Sequence, residues 1–186
     1  MNSSKWSFEV TSKIILFLAL SVTINNAWSG DLSACQSVVS PAVSLDIELL
    51  GDTSVESMRK QDAFLLAKFS DEFRSRLEQQ KIFTIIDDKQ SLAVLNEAAQ
   101  HQFLHRCNGC ELAIAKKLGA KKVIVPWIFR MSKLVQTMFV ELRDVETGTL
   151  VMRKKLNFRG NTDDAWDHVI NRMVEEMHAY VAKCSL

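Results

Sequence analysis

The chain has 186 residues, 23 Lys and Arg against 22 Asp and Glu for a formal charge of +1, and 47% hydrophobic residues. That length suits one core, since independent domains mostly run to about 100–150 residues. So even a charge balance leaves no cationic excess to hold a phosphate backbone, which excludes a general nucleic-acid binder, and the apolar share excludes a disordered chain.

Lys5 and Lys13 precede the apolar run Ile14–Ile24, and Asn25-Asn26-Ala27-Trp28-Ser29 follows. This is the basic, apolar, small-residue order of a secretory signal. The run is too short to cross a bilayer, which needs about 20 residues. Ala27 and Ser29 place cleavage after Ser29, so residues 1–29 read as a signal peptide and the mature protein as periplasmic, without a transmembrane span. Leu32-Ser33-Ala34-Cys35 also has the pattern of a lipoprotein signal, in which Cys35 carries a lipid anchor. The long gap from Ile24 and the intervening Asp31 favour cleavage at Ser29 over that anchor. Removal of Lys5, Glu9 and Lys13 leaves the mature chain formally neutral.

Residues 30–42 read as a flexible lead-in to a single domain over 43–184. Val43, Leu45, Ile47 and Leu49 alternate with polar neighbours and predict a strand with one buried face, closed by Gly51-Asp52-Thr53-Ser54. Between Met58 and Gln80, Leu66, Phe69, Phe73 and Leu77 predict an amphipathic helix, followed by the short apolar run Ile82–Ile86. A helix near Gln90–Gln100 comes next, and then a short one over Glu111–Leu118 with Gly119 as its cap. Val123–Phe129 is a strand whose Pro126 cannot donate to a ladder, which marks an edge or an irregular point.

A hairpin follows. Leu134, Gln136, Met138, Val140 and Leu142 share one face, Leu150, Met152, Leu156 and Phe158 another, and Gly148 lies in the turn. Arg153, Lys155, Asn157 and Arg159 point to solvent. The last helix carries the clearest apolar stripe, Trp166, Ile170, Met173, Met177 and Tyr180. The expected architecture is α/β (α+β): one domain in the order β-α-β-α-α-β-β-β-α, with a mixed sheet of about five strands, a C-terminal β-hairpin and helices packed against the sheet.

Cys35, Cys107, Cys110 and Cys184 enter an oxidising compartment, where an even count reads as disulfides. Cys107 and Cys110 are close enough to pair locally, which leaves Cys35 and Cys184 to join the two ends of the mature chain. Cys107-Asn108-Gly109-Cys110 also precedes a helix, whose dipole lowers a thiol pKa, so a redox dithiol competes with a structural disulfide. Export alone favours the structural bond. His101, His105, Cys107 and Cys110 have ligand types suited to zinc, but they lie too close in sequence to close a tetrahedron as zinc modules do. Asp163, Asp164, Asp167 and His168 form an oxygen-rich cluster that also serves as helix capping. No nucleophile elbow or phosphate-cradling glycine loop is present, and no cofactor or metal is expected.

From Cys107 onward, Cys107-Asn108-Gly109-Cys110-Glu111, Lys117-Leu118-Gly119-Ala120, Met131-Ser132-Lys133-Leu134, Arg143-Asp144-Val145-Glu146-Thr147-Gly148 and Arg159-Gly160-Asn161-Thr162-Asp163-Asp164-Ala165-Trp166 resemble an exported bacterial family. It is the family named domain of unknown function 2380. The likeness covers about residues 43–180, with departures at Met131, Val135-Gln136 and Asp164-Ala165. It implies a periplasmic α/β protein, sometimes encoded beside quinone-dependent alcohol oxidation systems.

The expected function is therefore that of a non-catalytic periplasmic accessory or binding protein with an envelope protein partner. It would meet that partner through its sheet edge or through the turn carrying Arg159, Asn161, Asp163, Asp164 and Trp166. A thiol–disulfide protein using Cys107 and Cys110, and a metal chaperone or sensor using Asp163, Asp164, Asp167 and His168, are the alternatives.

Overall fold

A computed structural model describes residues 40–101 and 103–184, without the side chains of 101 and 184. In chain order the elements are β1 (Pro41–Ser44), β2 (Glu48–Gly51), α1 (Arg59–Gln79), β3 (Thr84–Ile85), α2 (Lys89–His101), α3 (Cys110–Lys117), β4 (Lys122–Arg130), β5 (Gln136–Asp144), β6 (Leu150–Phe158) and α4 (Asp163–Cys184). Single 3-10 turns occupy Glu56–Met58 and Leu104–Arg106. The sheet runs β3-β1-β4-β5-β6, with β2 beside β4 beyond the end of β1. β1 is parallel to β3 and β4, β2 is parallel to β4, and β4, β5 and β6 form an antiparallel meander, so the sheet is mixed as expected.

The single first strand expected from alternation is two strands, and the reason lies opposite the break. Leu45 N–H donates to the Ile124 carbonyl and Asp52 N–H to the Arg130 carbonyl, so even-numbered residues of β4 turn their backbone groups toward β1 and β2. Pro126 is on that side and has no N–H to give. The chain leaves the ladder there. Ser44 pairs with Ile124 and Glu48 with Trp127, so the first segment has one residue more than β4 across the gap. The freed Ile47 N–H is taken by the buried Ser70 hydroxyl of α1 at 2.8 Å. Because strand side chains alternate, one extra residue reverses the facing of all that follow. Val43 and Leu45 therefore enter one core cluster and Ile47 and Leu49 the other, which corrects the reading that put all of them on one face. Pro126 does mark an irregular point, but β4 is an interior strand and not an edge.

The larger core lies between the sheet and two long helices. Leu65, Phe69, Phe73 and Leu77 recur every fourth residue on α1, with Leu65 in the place expected for Leu66, which is half-buried. Trp166, Ile170, Met173 and Met177 of α4 are fully buried, and the half-buried Tyr180 donates its hydroxyl to the Val151 carbonyl at 2.8 Å. Both stripes meet Ile124, Ile128, Met138, Val140, Leu142 and Met152 of the sheet. Two expected members of the hairpin core fall outside it: Leu134 sits in the β4–β5 turn and Leu150 at the register shift that opens β6, and both are exposed.

The opposite face is covered only in part. Leu95 of α2, Leu104 and Ala115 of α3 close over Val43, Leu45, Val123 and Val125. α3 ends with Gly119 in the left-handed region, where Gly119 N–H bonds the Lys116 carbonyl and Ala120 N–H the Ala115 carbonyl. That paired closure is why a glycine is needed there. Among the described residues no helix is long and apolar enough to cross a membrane.

Candidate functional site

Within the turn expected to bind a partner, Asn161 and Trp166 belong to a clamp in the core, while Arg159, Asp163 and Asp164 are exposed. Arg130, 2% exposed, donates from both terminal nitrogens to the two oxygens of Asp62 at 2.8 and 2.7 Å. Asn161 completes the arrangement: its Oδ1 accepts from Arg130 and from Trp166 Nε1, each at 3.1 Å, and its Nδ2 donates to Asp62 at 3.0 Å. Gln136 adds a hydrogen bond from its amide to the Gly160 carbonyl at 2.7 Å. Burial works against the Asp62 carboxylate, but hydrogen bonds from Arg130 and Asn161 outweigh it and hold its pKa below the ordinary value. Asn161 and Trp166 are thus occupied in joining α1, β4, β5 and α4. A buried pair of this kind is stable only while every partner is present.

The acidic residues after the clamp do not converge. Asp163 pairs with Lys68 of α1 at 2.6 Å, Asp167 with Arg76 at 2.5 Å, and Asp164 and His168 are exposed. Arg159 is exposed, as its place among the solvent-facing residues of the hairpin implied, and it is Lys68 that takes Asp163. Among the described residues the one cluster with metal-ligand types is Cys107, Cys110 and Glu111. Its sulfurs are bonded to each other and offer no thiolate.

The Cys107–Cys110 disulfide ties the turn before α3 to its first residue. Asn108 and Gly109 between them both have positive φ, which makes the tight reversal. Glu111 is buried; its Oε2 accepts the Gly109 N–H at 3.0 Å and lies 3.4 Å from Cys107 Sγ. This carboxylate takes the N–H that would stabilise a thiolate and sets a negative charge beside the sulfur. The arrangement favours a structural bond over a reactive one. His105 bonds Glu48 and is not part of that cluster, while Cys35 and the side chains of His101 and Cys184 lie outside the described residues.

What sequence reading missed lies on the half-covered face. The reversal at Pro126 turns Glu48 toward the Leu104–Arg106 turn, where its carboxylate accepts the backbone N–H groups of Leu104 at 2.6 Å and His105 at 3.3 Å and is bonded by His105 Nδ1. A carboxylate accepts, so Nδ1 is the donor, and the buried Nε2 has no partner among the described residues. Held this way, the imidazole stacks on Trp127 with centroids 5.7 Å apart. Trp127 in turn stacks on its cross-strand partner Phe139 at 5.1 Å with ring planes 7° apart. Phe139 is register partner to Lys155. The row Glu48, Trp127, Phe139, Lys155 therefore crosses β2, β4, β5 and β6 on one face.

Cations border the row. The Arg153 guanidinium lies 5.8 Å from the Trp127 ring, and both it and Arg143 pair with Glu141. Phe139, Arg153, Lys154 and Lys155 line an open hollow of about 360 Å³. Beyond it the exposed Phe129, Met131, Leu134 and Val135 form an apolar tip at the β4–β5 turn. An aromatic platform ringed by guanidinium and ammonium groups offers large, rigid contact area with a polar rim, which is the composition that carries binding energy at protein interfaces.

The fold is the mixed α+β arrangement of the LpoB C-terminal domain: the Salmonella enterica domain superposes with a TM-score of 0.50 at 15% identity, covering 68% of this chain and 91% of that one. The PelC dodecamer from Paraburkholderia phytofirmans is a weaker likeness, with 12% identity, 79% and 90% coverage and a TM-score of 0.46. So is the lipoprotein GNA1162 from Neisseria meningitidis, with 10% identity, 77% and 99% coverage and a TM-score of 0.44. No curated protein sequence matches the chain. The family model described as protein of unknown function (DUF2380) matches residues 40–177, and the chain belongs to that family.

Proposed function

We propose that this chain is a non-catalytic accessory protein of the cell envelope that binds a partner protein through the open half of its sheet. One observation carries the reading. The clusters that looked chemical in sequence are disulfide-bonded, ion-paired or dispersed, whereas Trp127, Phe139, Arg153 and Lys155 form an organised group on the sheet that stays partly or fully exposed among the described residues. The Asn161 clamp and the Glu111-flanked disulfide support a rigid scaffold over a reactive centre.

In this reading residues 1–29 are removed, residues 30–42 lead into the domain with Pro41 and Ala42 already part of β1, and Cys35 joins Cys184. Intact mass of the mature protein, with and without reduction and alkylation, tests that part. A mass beginning at Gly30 with two disulfides agrees with it, while a lipidated Cys35 replaces the soluble form with an anchored one. The finer form of the proposal, drawn from the family resemblance alone, makes the partner a component of a quinone-dependent alcohol oxidation system.

The test of partner binding is photo-crosslinking in cells from a probe at Phe139, with a second probe at the exposed Asp164 as control. A discrete protein adduct from Phe139 and none from Asp164 is expected. Equal or absent adducts at both positions overturn the reading, and a dehydrogenase subunit in the adduct supports its finer form.

A further inference from the structure

The two edges of the sheet are unlike. One is made of β3, of two residues, and β2, of four, and the other is β6, of nine, with no neighbouring strand on its outer side among the described residues. A strand of that length presents alternate backbone N–H and C=O groups to any extended chain that reaches it. At its start the Tyr180 hydroxyl takes the Val151 carbonyl, so the open part is 152–158. We infer that β6 takes up an extended acidic segment of a partner protein as an added strand. This rests on the accessory reading above and supplies its mode of contact.

Charge decides which strand fits. Arg153-Lys154-Lys155 sits at the middle of the open segment. Lys154 turns to the α4 side and pairs with Glu176 at 3.1 Å, and Arg153 shares Glu141 with Arg143. Lys155 is exposed with no ion-pair partner among the described residues, and the exposed Arg159 follows one residue past the strand. A second copy of this chain is a poor occupant. Antiparallel pairing centred on Lys154 sets Arg153 of each copy opposite Lys155 of the other, and like charges directly opposite are destabilising. Carboxylates at the same positions convert that repulsion into cross-strand pairs. Cationic residues on an edge are a common guard against unplanned pairing. Here the guard selects by sign, since it turns away neutral aggregation and cationic strands and admits anionic ones.

The added strand also meets the aromatic row. A residue paired beside Lys155 on the open face continues the line from Trp127 through Phe139, so a carboxylate there meets the Lys155 ammonium at the end of the aromatic row.

The experiment uses the isotope-labelled mature protein and capped peptides matched in length to 152–158, one alternating Glu with Val and one alternating Lys with Val. The Glu–Val peptide is expected to bind saturably and to protect alternate amides of 152–158 from exchange. N-methylation of its inward-facing amides should weaken it about fivefold per hydrogen bond removed. The double variant Arg153→Glu/Lys155→Glu, with its circular dichroism unchanged, should reverse the preference to the Lys–Val peptide. Equal binding of both peptides by the natural protein, indifference to N-methylation, or no protection in 152–158 overturns the inference. The peptide arm and the Phe139 crosslink fail separately. An adduct without peptide pairing removes the edge mode and leaves the accessory reading, while peptide pairing without any adduct does the reverse.

Discussion

On one side of the sheet, α1 and α4 bury Phe69, Phe73, Trp166 and Met173 completely, and the polar groups carried into that core are matched atom to atom around Arg130. On the other, α2 and α3 close over β1 and the start of β4, and Trp127 and Phe139 stand half-buried beside the exposed Arg153 and Lys155. Both sides come from the same strands and the same alternation. The difference teaches what each side requires: a side that must exclude water needs every donor satisfied, while a side left open can keep aromatic and cationic groups arranged at the surface, as the proposed partner contact requires.

The comparison breaks most visibly at the Arg130 clamp. Asp62→Ala leaves a buried guanidinium without its carboxylate, and urea denaturation should show a loss of about 3–5 kcal/mol. A loss under about 1 kcal/mol would mean that water reaches Arg130 and that this side is not closed. Next is Gly51, at φ +86, where an added Cβ runs into the Arg130 carbonyl of the paired strand. Gly51→Ala should cost roughly 2–4 kcal/mol by the same measurement, since backbone on both sides must shift.

Effects shrink toward the open side. Glu48→Gln keeps the shape but replaces a charged acceptor of the Leu104 and His105 N–H groups. A loss of about 1–3 kcal/mol is expected, together with a change in Trp127 fluorescence as the stacked imidazole loosens. Asp144 gives the pH arm. The Lys122 ammonium bonded to it at 2.8 Å, with the Thr147 backbone and hydroxyl, outweighs burial and lowers its pKa from 3.8 to about 2. A depressed carboxyl stabilises the fold above its ordinary pKa and loses that contribution as pH falls through the depressed value. The stability gap between the natural protein and Asp144→Asn, roughly 1–2 kcal/mol near neutrality, should therefore close between pH 3.8 and about 2. Smallest of all, Lys155→Ala should change stability by no more than about 0.5 kcal/mol, because nothing in the fold depends on it. Thermal and urea melts that move further would place Lys155 in the scaffold.

Sequence reached the closed side far better than the open one. The stripe Trp166, Ile170, Met173 and Met177 is legible because a helix buried on one face must repeat its apolar residues with helical spacing. The β5 and β6 strands are legible by the same logic at period two. Asn161 looked available because polar residues before a helix usually face water, and no local pattern says that Asp62, a hundred residues earlier, and Arg130 converge on it. The aromatic row escaped because it joins β2, β4, β5 and a turn in register. Half of it was within reach: centring the β4–β5 hairpin on Met131–Val135 sets Trp127 opposite Phe139. Glu48 was out of reach, since its facing depends on a residue almost eighty positions later.

That residue is Pro126, and its effect is a change of phase. A missing hydrogen atom on one nitrogen puts the chain before Leu45 and after Ile47 out of step, as an inserted letter shifts the reading of everything behind it. Were the two segments in step, Ile47 would meet α2 and α3, and Glu48 would be driven into the apolar packing of α1 and α4. The histidine would then lose the carboxylate that aims it at Trp127. The surface proposed for a partner is thus written partly in an atom that is absent, on an inner strand that no survey of surface residues would pick out.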